Sequence, residues 1–226
     1  FEVLARAKAL VSQGKDIIHL EIGEPDFETP QHIKDAAVKA LQDGYTHYVP
    51  TPGIPEVRQA VARNVGERRG MDVDWNRVII TPGAKPIMFF TLLALAEPGA
   101  EVIYPDPGFP IYESMVYFCG AKAVPMPLRG ESDYHPDLDE FATLVNKSTR
   151  LVILNSPHNP CGSVLSREEI ERIAEVVREQ SDAYILSDEV YKDLYFEGQH
   201  ESISQFDDMR ERTIILDGMS KSYAMT

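Results

Sequence analysis

Asn155, Asp188 and Lys221 recur at one interval, each 33 residues from the next. Each follows a short apolar run, Leu151 to Leu154, Tyr184 to Ser187 and Ile214 to Leu216, of the kind that forms a strand buried on both faces. A strand, its crossover helix and the next strand take about 30 residues or more, so one interval is one such unit and all three residues belong at the same edge of a parallel sheet. Open α/β sheets bind ligands at that edge. Loops at strand ends are polar in any case, so the interval by itself leaves shared function and coincidence both open. A lysine partly desolvated there loses its charge readily and becomes a nucleophile able to form a Schiff base with a carbonyl compound. An aspartate facing a pyridine nitrogen keeps that nitrogen protonated, which lets the ring act as an electron sink. Asp188 and Glu189 also suit a solvated helix start. Of the two, the acid that directly ends the strand is the better candidate.

Two loops offer binding surfaces to such a site. Thr81-Pro82-Gly83-Ala84-Lys85 precedes the apolar stretch Ile87 to Ala96, and the free amides of a helix start there can hold a phosphate, with Gly83 allowing close approach and Lys85 adding charge. The segment is neither GxxxxGK[ST] nor GxGxxG, which favours an isolated small phosphate over a nucleotide. Pro105 to Tyr112 is rich in aromatics; Phe109 suits either stacking on a flat ring or core packing.

These residues need a scaffold, and short β-branched runs alternating with amphipathic segments specify one: an α/β fold in three layers, α/β/α, around a mostly parallel sheet. Strands are expected at Arg77 to Thr81, Glu101 to Tyr104, Ala123 to Met126, Arg150 to Leu154, Ala183 to Ser187 and Thr213 to Leu216. Gln31 to Leu41 reads as a helix with Thr29 as N-cap and Pro30 at its first position. Another helix surrounds Val57, Val61 and Val65, and Ile87 to Ala96 reads as a core helix. Ser166 and Glu169 form a capping box ahead of Ile170, Ile173, Ala174 and Val177, which repeat at helical spacing.

Composition removes several function classes. A net charge of −14 repels nucleic acid and anionic membrane surfaces, and the longest apolar run is too short to span a bilayer. The two cysteines are too few to staple a domain of 226 residues, and the six histidines lack metal-ligand spacing. With no secretory signal pattern at the start of the chain, the expected location is cytoplasmic.

Seven ordered segments resemble the class I/II aminotransferases among the fold type I pyridoxal phosphate (PLP) enzymes: Gly23 to Phe27, Tyr45 to Tyr48, Pro82 to Lys85, Pro107 to Tyr112, Asn155 to Gly162, Ser187 to Tyr191 and Ser220 to Thr226. The resemblance implies that Lys221 is the Schiff-base lysine and general base, and that Asp188 pairs with the pyridine nitrogen. It further implies that Tyr191 and Asn159 bond the ring hydroxyl oxygen and that Gly83, Ala84 and Lys85 form the phosphate-side turn. Phe109 matches the stacking aromatic, Tyr48 a tyrosine that reaches the cofactor of the other subunit in a homodimer with shared active sites, and Gly23 and Asn159 the surroundings of the substrate carboxylate. Residues 1–30 then belong to a small domain or an interface, and 31–226 to the PLP-binding large domain. Three positions depart from the family pattern: Gly218 stands where many members carry a phosphate-binding serine, and His158 and Cys161 replace the commoner Asn and Thr. The sequence also stops five residues after Lys221, short of the arginines and the C-terminal small domain with which family members bind phosphate and substrate carboxylate. The implied activity is amino-group transfer between an L-amino acid and a 2-oxo acid. A PLP-dependent lyase on the same scaffold and an aminotransferase-like regulatory domain are the alternatives.

Overall fold

The computed structural model describes residues 2–20 and 22–226; Phe1 and Glu21, both within the expected N-terminal segment, lie outside the described residues. Strands β1 (Glu101–Asp106), β2 (Lys122–Pro127), β3 (Thr149–Asn155), β4 (Tyr184–Asp188) and β5 (Thr213–Leu216) form one sheet in the order β2-β1-β3-β4-β5, with every neighbouring pair parallel. Helices α1 (Glu2–Ser12), α2 (Gln31–Gln42), α3 (Pro55–Arg69), α4 (Lys85–Leu95), α5 (Ile111–Phe118), α6 (Leu138–Leu144), α7 (Arg167–Gln180), α8 (Asp207–Arg210) and α9 (Met219–Ser222) accompany it.

Successive strand side chains point to opposite faces, and this alternation divides the core in two. Ile103, Val152, Leu154 and Ile185 pack with Phe141 of α6 and with Ile170, Ile173 and Val177 of α7. Val102, Leu151, Ile153 and Leu186 pack with Met88 and Leu92 of α4 and with Tyr112 and Val116 of α5. Helices thus cover both faces, and the chain has the expected three-layer α/β/α architecture. The α7 start follows the sequence closely: the Ser166 hydroxyl accepts from Glu169 N–H while the Glu169 carboxylate accepts from Ser166 N–H.

Three local expectations fail. Arg77 to Thr81 forms no strand. Buried Arg58 donates from Nε to the Val78 carbonyl (2.8 Å) and from Nη2 to the Asn76 carbonyl (3.0 Å), so a guanidinium takes bonds that a neighbouring strand would have made. Thr29 does not cap α2: Pro30 stands at the cap, and the Thr29 hydroxyl donates instead to the Ala224 carbonyl, tying the N-terminal segment to the loop around Lys221. Helix α4 is only half a core helix, because Phe90 and Leu93 remain exposed while Met88 and Leu92 are buried.

Candidate active site

The sheet brings the equally spaced residues to one edge. Asn155 is the register partner of Asp188, and Asp188 of Leu216, with Lys221 following in α9. Strand order reverses between β1 and β3, and such a switch point opens a crevice at the carboxyl edge. Phe109 and Tyr112 follow β1 there; Asn155 and Asn159 end and follow β3.

Asp188 is the most constrained member of the group, at 3% exposure. Its carboxylate accepts from Tyr112 Oη at 2.6 Å and from Val190 N–H at 3.3 Å. Burial pushes its pKa up to about 6; the bonds from Tyr112 and Val190 oppose that rise, and the negative charges of Glu189 and Asp217 add to it. The Asp188 main-chain carbonyl accepts from Asn155 Nδ2 (3.0 Å), Asn155 Oδ1 accepts from Asn159 N–H (2.8 Å), and Asn159 Nδ2 donates to Tyr191 Oη (3.2 Å). A single chain of hydrogen bonds therefore joins Asp188 to Tyr191. Burial and the charge of Asp188 raise the Tyr191 pKa, so the phenol keeps its hydrogen. Since Tyr191 Oη already accepts from Asn159, that hydrogen can be given to a further acceptor.

Lys221 Nζ lies 5.9 Å from the Tyr191 ring centroid and donates to the Gly23 carbonyl at 2.6 Å. The N-terminal segment thus reaches the lysine directly. Phe109 meets Tyr112 edge to face, with ring centroids 5.9 Å apart. Gly83, at φ +86°, has the left-handed backbone that favours glycine, and its N–H is spent on the Thr81 carbonyl within the turn. Ala84 and Lys85 then lead into α4, and Ala84 packs into the same core as Phe109 and Tyr112. The expected residues Asp188, Asn159, Tyr191, Lys221 and Gly23 are thereby linked, Phe109 joins through Tyr112, and the turn at Gly83 stands on the same side of the sheet. Tyr48 stands apart, fully exposed on its loop.

Tyr112 was not among the expected site residues. It lies three positions after Phe109, at the start of α5, and the aromatic-rich run Pro105 to Tyr112 was its available signal. Of the departures, His158 is buried and neutral: burial lowers its pKa to about 4, and its Nδ1 accepts from Cys161 N–H. Burial raises the Cys161 pKa, which makes the thiol a poor nucleophile.

A parallel sheet thus carries a buried aspartate, a coupled asparagine and tyrosine, and a lysine on one edge, the arrangement of an α/β enzyme site. The chain belongs to the aminotransferase class I and II family, which matches residues 15–226. It is 39% identical to an arginine–pyruvate transaminase of Pseudomonas aeruginosa over 226 residues, covering 100% of this chain and 57% of that protein. It is 42% identical to an aspartate aminotransferase of Pyrococcus abyssi over 214 residues, covering 94% of this chain and 55% of that one. A solved Thermus thermophilus aspartate aminotransferase double mutant superposes with a TM-score of 0.94 at 37% identity, covering 100% of this chain and 58% of the other. The chain therefore spans a little over half the length of these relatives. Among the described residues, no helix is long and apolar enough to cross a membrane.

Proposed function

We propose that this chain is the cofactor-binding portion of a PLP-dependent aminotransferase that moves an amino group between an L-amino acid and a 2-oxo acid, with Lys221 as the covalent attachment point. Asp188 carries the reading: a carboxylate this buried, with its pKa pushed up to about 6, has no cationic partner among the described residues, and a protonated ring nitrogen is one. When bound, PLP supplies an electron sink for the pair left at the substrate α-carbon. The chain's own residues do the rest. Asp188 keeps the proton on the ring nitrogen. Tyr191, which has a hydrogen to give, and Asn159 orient the ring hydroxyl oxygen, and Phe109 lies against the ring. Gly83, whose own N–H is spent in the turn, brings Ala84 and Lys85 at the start of α4 to the phosphate side. Lys221 Nζ takes the α-proton and returns it, and Gly23 and Asn159 border the substrate carboxylate.

The same reading makes the enzyme a homodimer. Phe90 and Leu93 of α4 and Tyr117 and Phe118 of α5 leave a run of apolar surface exposed, which suits a subunit interface. Tyr48, exposed on its loop, then serves the partner's site, residues 1–30 belong to a small domain or that interface, and residues 31–226 form the large domain. The free cysteines Cys119 and Cys161 suit the cytoplasm.

The test is a spectral titration of the full-length gene product loaded with PLP. Successive amino acid and 2-oxo acid should drive the cofactor band between two forms reversibly, which separates a transaminase from a lyase, and borohydride followed by peptide mapping should label Lys221. A label on another lysine, or transamination surviving Lys221→Ala, removes the assignment.

A further inference from the structure

The turn bearing Asp188 and Tyr191 is two-sided. Asp188 and Tyr191 belong to the site, whereas Glu189, Asp193 and Lys192 pair with Arg69, Arg68 and Asp217. The first two pairs pin the turn to the last turn of α3. The third joins it to the loop that carries Lys221.

Lys192 is 5% exposed, and its Nζ lies 2.7 Å from Asp217 Oδ1. That oxygen also accepts from Gly218 N–H at 2.7 Å, so one carboxylate organises the start of the lysine loop and holds the buried ammonium. The β4–β5 ladder ends at Asp188 and Leu216, followed by a bond from Glu189 N–H to the Leu216 carbonyl (2.8 Å). Beyond it, among the described residues, no main-chain hydrogen bond crosses between residues 190–193 and 217–222. The ion pair spans that gap. A buried ammonium cannot drift from its carboxylate without a large desolvation penalty, so the link is stiff.

We propose that the Lys192–Asp217 pair fixes Lys221 relative to Asp188 and Tyr191, making Lys192 a positioning residue for the reaction. The inference rests on the functional reading above. Small displacements of a reacting group cost rate more than they cost substrate binding, so the pair acts on kcat rather than on KM.

The experiment compares Lys192→Met and Lys192→Arg in the full-length protein. It measures the rate at which cofactor-free protein reacts with added PLP at Lys221, kcat and KM for an accepted amino acid, and thermal unfolding. Lys192→Met should lower kcat and the rate of PLP attachment about tenfold, equivalent to about 1.4 kcal/mol, with KM held within about twofold. Lys192→Arg, which keeps the charge, should recover most of both. Should Lys192→Met not fold, Asp217→Asn keeps the acceptor for Gly218 N–H, removes the charge, and should show the same kinetic loss. Wild-type attachment and kcat in a folded Lys192→Met or Asp217→Asn protein overturn the positioning role alone. Wild-type protein that attaches no PLP overturns both this inference and the functional reading.

Discussion

Tyr112 of α5 donates a 2.6 Å hydrogen bond to Asp188 at the end of β4, and both residues are buried. It is the shorter of the two bonds to that carboxylate and works against the burial that favours protonation. Tyr112→Phe keeps the ring and deletes the donor. A hydrogen bond to a charged group contributes about 1.5 to 3 kcal/mol, so the Asp188 pKa should climb by about one to two units above its present value. Carbon NMR titration of the cofactor-free carboxyl measures this directly. The acid-side midpoint for PLP uptake should rise with it, and a midpoint at or below that of the wild type contradicts the role.

Asp188 also weakens the protein that holds it. Its pKa is about 6 in the fold against an ordinary value of 3.8, so between those values the folded state retains a proton that the unfolded chain has released. Stability of the cofactor-free protein therefore falls as pH rises through this window and stays lower above it. A shift of about two units corresponds to at most about 3 kcal/mol. Asp188→Asn should accordingly stabilise the cofactor-free protein by about 1 to 3 kcal/mol near neutral pH and by little near pH 4, while weakening the hold on a protonated ring by about ten- to hundredfold. Urea unfolding at both pH values checks the first part, and turnover of the loaded protein checks the second.

Behind Asp188, the opposite arrangement holds. Burial raises the Glu189 pKa, but the bond from His200 and the charge of Arg69 overcome it and bring the value down to about 2. Here the folded value lies below the ordinary value of 4.5, so the contribution is complete above about pH 4.5 and is lost as pH falls toward 2. Glu189→Gln leaves the Arg69 guanidinium buried without its counter-charge and should destabilise the protein by about 3 to 5 kcal/mol at neutral pH. The double variant Arg69→Met/Glu189→Gln should recover most of that loss. Equilibrium unfolding of the three proteins decides it; a double variant no better than Glu189→Gln would show that the cost lies elsewhere, with Ser187, Ser202 or His200.

What the sequence displayed and what it concealed separate along the range of the interaction. Strands β1, β3 and β4 were legible because burial on both faces demands near-continuous apolar runs, the edge strands β2 and β5 from shorter apolar stretches, and the interval joining Asn155, Asp188 and Lys221 because βαβ units have a narrow length range. The α7 capping box was legible because both partners lie within four residues. Arg77 to Thr81 misled because Arg58, outside that window, takes the Val78 carbonyl. Thr29 misled because its hydroxyl is claimed by Ala224 at the far end of the chain. Tyr112 and Lys192 act on partners across the fold, and such contacts leave no periodic trace in the sequence.

Gly218 stands three residues before Lys221, where the family resemblance leads one to expect a phosphate-binding serine. Its backbone is extended, at φ −168° and ψ 163°, which any residue adopts. A Cβ built there meets only Val190 Cγ2, at an ordinary 3.7 Å. The bond from Gly218 N–H to the Asp217 carboxylate uses only the main-chain donor of residue 218 and survives substitution there. Gly218→Ser should therefore change folding stability by no more than about 0.5 kcal/mol. If the phosphate lies beside this loop, the new hydroxyl donates to an anion and should tighten PLP binding by about three- to tenfold. Equilibrium dialysis of wild type, Gly218→Ser and Gly218→Ala isolates the hydroxyl from the added methylene. Equal affinity in the serine and alanine variants would place the phosphate away from residue 218 and leave the turn at Gly83 as its principal holder.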